Sequence, residues 1–205
     1  MQTQTKESQS SLSPSSAYQM LVDGNKRFVQ NVKAQRNLID QVSATSSGQY
    51  PFAVVLSCID SRVPAELVFD QGIGDIFSAR VAGNIVNEDV LGSLEYSCKV
   101  AGSKILVVLG HTKCGAVTAA CKNVELGNIT PLLAKIKPAV NQIRNEGETE
   151  MSSERIEEVV TLNTKLAIER IRAESPILAE METNGEIKIV GGVYSVSSGE
   201  VEFFD

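Results

Sequence analysis

The chain holds a single histidine, in His111-Thr-Lys-Cys114, just past the apolar run Ile105-Leu-Val-Val-Leu109. A second apolar run, Phe52-Ala-Val-Val-Leu-Ser57, ends on another thiol and opens Cys58-Ile-Asp-Ser-Arg62. Two soft sulfurs and one imidazole form a donor set that zinc favours, with a fourth position left for water. Cys58, His111 and Cys114 are therefore the candidate metal ligands. Each thiol must ionise to bind, and the metal drives that ionisation. The alternative is a buried histidine among buried cysteines, because free Cys is among the most buried residue types.

Asp60 and Arg62 stand two and four residues past the first thiol. At i, i+2 on a turn, a carboxylate and a guanidinium form a charge-assisted pair. Held beside the metal, Asp60 is an acceptor-only anion that takes the hydrogen of an activated water and aims its lone pair. It can also swing in as a fourth ligand. The competing reading is an ordinary surface ion pair, which is worth little.

Other motifs carry less. Gly110-His-Thr-Lys-Cys-Gly115 lacks the Gly-Lys-Ser/Thr ending of a phosphate loop. The sole histidine leaves none for a Ser-His-Asp triad. Gly191-Gly192 reads as a turn, Cys98 and Cys121 as small apolar side chains inside helices, and Asp75 and the Glu154–Glu158 acids as solvated or structural charges.

The elements that must position these residues alternate between strand and helix. A helix capped by Ser15/Ser16 runs to about Val32, with Tyr18, Leu21, Val22, Phe28 and Val29 as its apolar contacts. Residues 33–50 read as polar and irregular. Buried strands are expected at 52–57 and 104–109, and further strands at 75–80 and 187–190. Helices are expected at 65–69, 87–102, 114–122, 131–145, 153–174 and 176–182, and an edge hairpin at 193–204. This order implies an α/β fold: a mostly parallel central β-sheet flanked by helices, with an N-terminal helical arm and a C-terminal antiparallel edge hairpin. Ligands in such sheets sit beyond the carboxyl ends of strands, where Cys58 and His111 both lie. Residues 1–14, rich in Ser, Thr and Gln, read as a flexible arm, and 15–205 as a single domain.

At 205 residues, with 42% hydrophobic and 21% charged side chains, the composition is that of an ordinary globular chain. The net charge of −6 argues against nucleic acid or an anionic membrane as the main partner. The four cysteines lack the dense spacing of a disulfide framework. A reducing compartment, the cytoplasm, is expected, with an organelle matrix after leader removal as the alternative.

Taken together, Cys58-x-Asp60-x-Arg62 and His111-x-x-Cys114 resemble the β-class carbonic anhydrases. The resemblance extends through Gly24-Asn25-x-Arg27-Phe28, Ser61-Arg-Val-Pro64, Gly74-Asp75-x-Phe77, Arg80-x-Ala82-Gly83-Asn84, Ser93-Leu-Glu-Tyr96 and Ser198-Gly-Glu-Val201, about residues 15–204. It implies reversible hydration of CO2 to bicarbonate, one Zn2+ per chain on Cys58, His111 and Cys114, and an Asp60–Arg62 dyad that orients the attacking hydroxide. It also implies a CO2/bicarbonate pocket near Gln49, Phe77, Ala82, Tyr96 and Gly115. In relatives the glutamine and the aromatics come from a neighbouring subunit, which implies a homodimer or higher homo-oligomer. Position 82 departs from relatives with valine there. Val55 stands where some relatives carry the tryptophan of a noncatalytic bicarbonate pocket, so Asp60 is expected to pair with Arg62 near neutral pH. Two rival functions fit the same residues: hydrolysis of CS2 or COS on this fold, and a non-catalytic zinc-binding, thiol-sensing protein.

Overall fold

The computed structural model describes residues 2–204. Its centre is one five-stranded sheet in the order β2-β1-β3-β4-β5, built from β1 (Ala53–Ser57), β2 (Ile76–Arg80), β3 (Ile105–His111), β4 (Lys188–Tyr194) and β5 (Val201–Phe204). The first four strands are parallel and β5 runs antiparallel to β4. From β1 the chain passes outward to β2, then returns to place β3 on the other side of β1. The carboxyl ends of β1 and β3 thus flank the switch point where a parallel sheet opens a crevice.

Strand alternation sorts the core. Ala53 and Val55 of β1 face α2 (Pro14–Val29) and α4 (Ala65–Val68), with Leu21, Val68 and Phe69. Val54 and Leu56 face α5 (Glu88–Glu95), α9 (Ser153–Glu174) and α10 (Pro176–Thr183), with Leu94, Ile171 and Leu178. Both sheet faces are covered, which is why β1 and β3 read as unbroken apolar runs. A third cluster joins Cys58 and Cys114 to Val117 of α6 (Gly115–Cys121), to Leu133 of α7 (Ile129–Ala134), to Val140 of α8 (Lys137–Ile143) and to Val159 of α9. Among the described residues, no helix is long and apolar enough to cross a membrane.

The structure departs from the sequence expectations in five places. Within the segment expected as a flexible arm, α1 (Lys6–Ser11) is helical, with a Thr5/Ser8 capping box. Buried Gln9 anchors it by donating to the carbonyls of Pro51 and Ala101, both at 2.8 Å. Met1 and Asp205, the outer ends of the two expected spans, lie outside the described residues. Ser13 rather than Ser15 or Ser16 caps α2, because Pro14 occupies its first turn.

Residues 33–50 contain α3 (Leu38–Thr45), capped by Asn37. Its apolar side chains Leu38, Ile39 and Val42 are exposed, so no core-facing pattern announced it. The helix expected over 131–145 is divided into α7 and α8, since Pro138 suits only a helix start. Gly191 and Gly192 belong to β4 rather than to a turn. A Cβ on Gly191 would stand 2.2 Å from the Phe204 ring, so the missing side chain is what lets β5 close over the strand.

Candidate metal centre and its family

Cys58 leaves the carboxyl end of β1 and His111 ends β3, with both strands paired in register from Ala53↔Ile105 to Ser57↔Leu109. Cys114 follows on the turn into α6. The two Sγ atoms and the imidazole nitrogen lie within 4.8 Å of one another, and all three residues are buried. His111 Nδ1 donates to the Thr112 carbonyl at 3.0 Å. That bond leaves Nε2 free, and Nε2 is buried with no hydrogen-bond partner. An unsatisfied imidazole nitrogen aimed at two thiols is costly in an apolar core. A divalent ion would supply the missing partner, and the donor set fits zinc.

The neighbouring Cys114 thiol, chiefly, lowers the Cys58 pKa below the usual thiol range, with His111 and the Gly83 amide acting in the same direction. Gly83 N donates to Cys58 Sγ at 3.3 Å. Cys114 is driven up by the same contact and by burial. The Gly83 N–H favours the ionised form of Cys58. Gly83 delivers its amide from a left-handed backbone (φ 68), where a Cβ would press to 2.7 Å from Ile136. Only glycine suits that spot.

Asp60 sits beside the ligands. Arg62 grips it twice, Nε to Oδ1 at 2.9 Å and Nη2 to Oδ2 at 2.8 Å, and the Arg62 amide donates to Oδ1 at 2.9 Å. These bonds, led by the guanidinium, hold the Asp60 carboxyl well below the usual carboxylate range. Arg80 completes the turn by donating to the carbonyls of Cys58 (3.0 Å) and Asp60 (2.7 Å).

The sequence profile of the carbonic anhydrase family matches residues 53–201. Carbonic anhydrase 2 of Mycobacterium tuberculosis is 33% identical over 198 residues, covering 94% of this chain and 93% of that protein. A carbonic anhydrase of Mycolicibacterium smegmatis is likewise 33% identical, covering 92% of each chain. In structure, the β-carbonic anhydrase CafA of Aspergillus fumigatus superposes with a TM-score of 0.73 at 27% identity, over 82% of this chain and 81% of that one. This chain belongs to the β-class carbonic anhydrases.

Within one carbonic anhydrase chain, the expected substrate residues fall into two groups. Ala82 opens the turn that carries Gly83 to Cys58, and Gly115 is the first residue of α6, directly after Cys114. Both border the candidate ligands. Phe77, in contrast, pairs with Val54, four positions before Cys58. At about 3.3 Å per residue, that is roughly 13 Å down the sheet from the first ligand. Tyr96 stacks edge-on against Phe77, with ring centroids 6.2 Å apart, and Gln49 is an exposed residue ahead of β1. The carbonic anhydrase chain therefore presents the candidate metal ligands and the Asp60–Arg62 pair at one end of the sheet, and the glutamine and aromatics toward the other.

Sequence reasoning missed one contact. Glu157, read only as one of a run of solvated or structural acids, accepts a hydrogen bond from the Lys113 amide at 2.8 Å. The positive φ of Lys113 (55°) is invisible in sequence, and no local pattern links positions 44 residues apart.

Proposed function

We propose that this chain catalyses zinc-dependent, reversible hydration of CO2 to bicarbonate and a proton, with Cys58, His111 and Cys114 holding the metal and Asp60–Arg62 orienting the nucleophile. The observation that carries this reading is the relation of Asp60 Oδ2 to the buried, partnerless His111 Nε2, 3.9 Å apart. Zinc at such a site lowers the pKa of its water from about 15.7 to near 7, giving a nucleophile at ordinary pH.

The chain's own residues supply the rest. Asp60, ionised and fixed by two guanidinium bonds, can only accept a hydrogen bond, so it turns the hydrogen of the attacking oxygen toward itself and the lone pair toward CO2. Arg62 keeps that carboxylate from swinging into the fourth ligand position. Ala82 and Gly115 leave room beside the metal for a small linear substrate. Gln49 donates to the developing bicarbonate oxygen, while Phe77 and Tyr96 provide an apolar wall that disfavours water. Because one chain holds these three away from its own ligands, we assign them to the site of a second copy, making the functional unit a homodimer or larger.

A proton must then leave the site. The single histidine is a ligand, so no second imidazole can relay it. Water carries the proton past Asp60 to external buffer. The four free thiols suit a reducing compartment, and we propose the cytoplasm.

The deciding experiment measures metal content and CO2 hydration on the purified protein, with and without a chelator, alongside CS2 and COS as substrates. One zinc per chain with chelator-sensitive CO2 hydration is expected. Turnover of CS2 or COS without CO2 hydration would transfer the site to the rival hydrolases. Bound zinc with no turnover of any gas would favour the thiol-sensing role.

A further inference from the structure

We propose that Glu157 is a positioning residue for the metal turn, holding the Lys113 peptide in the strained conformation that lets His111 and Cys114 share one ion. The inference rests on the zinc reading above.

Lys113 lies between two ligands in sequence and adopts φ 55, the left-handed region that side chains other than glycine disfavour. Such strain persists only where the surroundings over-determine it. Two side chains from distant parts of the chain do so here. Glu157 Oε1 accepts from the Lys113 amide at 2.8 Å, and Arg62 Nη2 donates to the Lys113 carbonyl at 3.3 Å. The preceding residue is also fixed: Thr112 N donates to the Tyr194 carbonyl at 2.9 Å, and Val196 N donates to Thr112 Oγ1 at 3.1 Å. The backbone of Lys113 is thus clamped at its amide by one charged residue and at its carbonyl by another. The second clamp is the same guanidinium that fixes Asp60.

The fold brings Glu157 there by a close approach. A Cβ on Gly110 would stand 2.3 Å from Thr164 Oγ1, so α9 lies directly against the last residues of β3. Val159 and Val160, just after Glu157 on α9, are buried in the cluster that contains Cys58 and Cys114. Glu157 Oε2 has no protein hydrogen-bond partner although that atom is buried. A half-satisfied carboxylate is a poor choice for stability alone. It is explained by the task of its other oxygen, since an anionic acceptor grips an amide about twice as strongly as a neutral one. Without it, the Lys113 peptide can relax toward an ordinary conformation, which moves Cys114 relative to His111 and releases the Arg62 contact.

The test uses the full-length chain with zinc and cobalt(II) as probes. Glu157→Ala is expected to lower zinc affinity about 10–100-fold, the range seen when a partner of a ligand is lost. It is also expected to lower kcat more than KM, and to shift the visible absorption of the cobalt form. Glu157→Gln keeps a neutral acceptor and is expected to recover most of the affinity and the cobalt spectrum. In a Lys113→Gly background, where φ 55 carries no strain, Glu157→Ala is expected to lose less than in wild type. A folded Glu157→Ala protein with wild-type zinc affinity and an unchanged cobalt spectrum would overturn the inference while leaving the zinc reading intact. Equal losses in the wild-type and Lys113→Gly backgrounds would also overturn it. A wild-type protein that binds no zinc would sink both.

Discussion

Asp60 Oδ2 stands 3.9 Å from His111 Nε2, while Arg62 grips both oxygens of the same carboxylate. The carboxylate is thus held beside the candidate ligands by the guanidinium, in the place the proposed orienting role requires. Removing Asp60 should therefore separate chemistry from metal binding. Asp60→Ala is expected to lower CO2 hydration by about 10²–10⁴-fold while zinc content stays near one per chain. Loss of zinc along with activity would show that Asp60 is needed to build the centre rather than to aim the nucleophile. Stopped-flow hydration beside elemental analysis reads both.

The pH profile should belong to the activated water and not to Asp60. Arg62 holds the Asp60 carboxyl well below the usual carboxylate range, so it stays ionised around neutrality and contributes no inflection there. Two thiolates would neutralise more of a bound ion's charge than imidazoles do, so water on an ion held there would be less acidic than in an all-imidazole site. Activity is expected to rise toward alkaline pH. A kcat/KM profile flat down to about pH 6, below the value near 7 of an all-imidazole zinc water, would contradict this.

With no second histidine, turnover should depend on outside proton acceptors. Adding imidazole at fixed pH and ionic strength is expected to raise kcat until it plateaus, with kcat/KM unchanged. A kcat independent of buffer concentration would point to an internal relay.

Separation of Phe77 and Tyr96 from the ligands of their own chain makes a mixing experiment decisive. A Cys58→Ser chain lacks the centre but keeps the aromatic wall; a Phe77→Ala chain does the reverse. Random re-pairing of equal amounts is expected to restore about a quarter of wild-type activity if each site draws on two copies. Each mixed dimer then rebuilds one complete site of two. No recovery in verified mixed dimers would place the wall and the ligands in the same functional chain or remove the wall from catalysis.

Asp70 anchors the chain far from the chemistry. It accepts from Arg27 Nε at 2.6 Å, Arg36 Nη1 at 2.7 Å and the Ala34 amide at 3.1 Å, and both Arg36 and Asp70 side chains are 6% exposed. Burial alone would raise its pKa, but those three bonds outweigh it and the net shift is downward. A carboxyl lower in the folded than in the unfolded chain stabilises above the unfolded value of about 3.9, and that contribution is lost as pH falls through the folded value. Asp70→Asn is expected to cost about 3–5 kcal/mol at neutral pH by stripping the anion from a buried arginine. The gap to wild type should narrow below about pH 4. Urea midpoints at one protein concentration and several pH values test both parts; a gap that widens in acid would reverse the assignment.

Much of this was legible because it is local. Unbroken apolar runs ending before Cys58 and before His111 placed both residues at carboxyl ends of buried parallel strands, and the Cys-x-Asp-x-Arg and His-x-x-Cys spacings marked the residues that the fold brings together there. Helix α3 was not legible, because its apolar side chains face outward and only Gln41 is buried. Nor was the path of β4 through Gly191-Gly192, since glycine pairs mark turns unless a ring such as that of Phe204 needs the space.

The sequence by itself determined which atoms are suited to bind metal, because donor type and short spacing are chemical facts carried within a few residues. Only the tertiary structure decided what surrounds them: that Nε2 of His111 lacks a partner, that Glu157 reaches the Lys113 amide across 44 positions, and that Phe77 lies far down the sheet from Cys58. Those relations depend on strand order, register and the approach of α9 to β3, and no run of neighbouring residues encodes them.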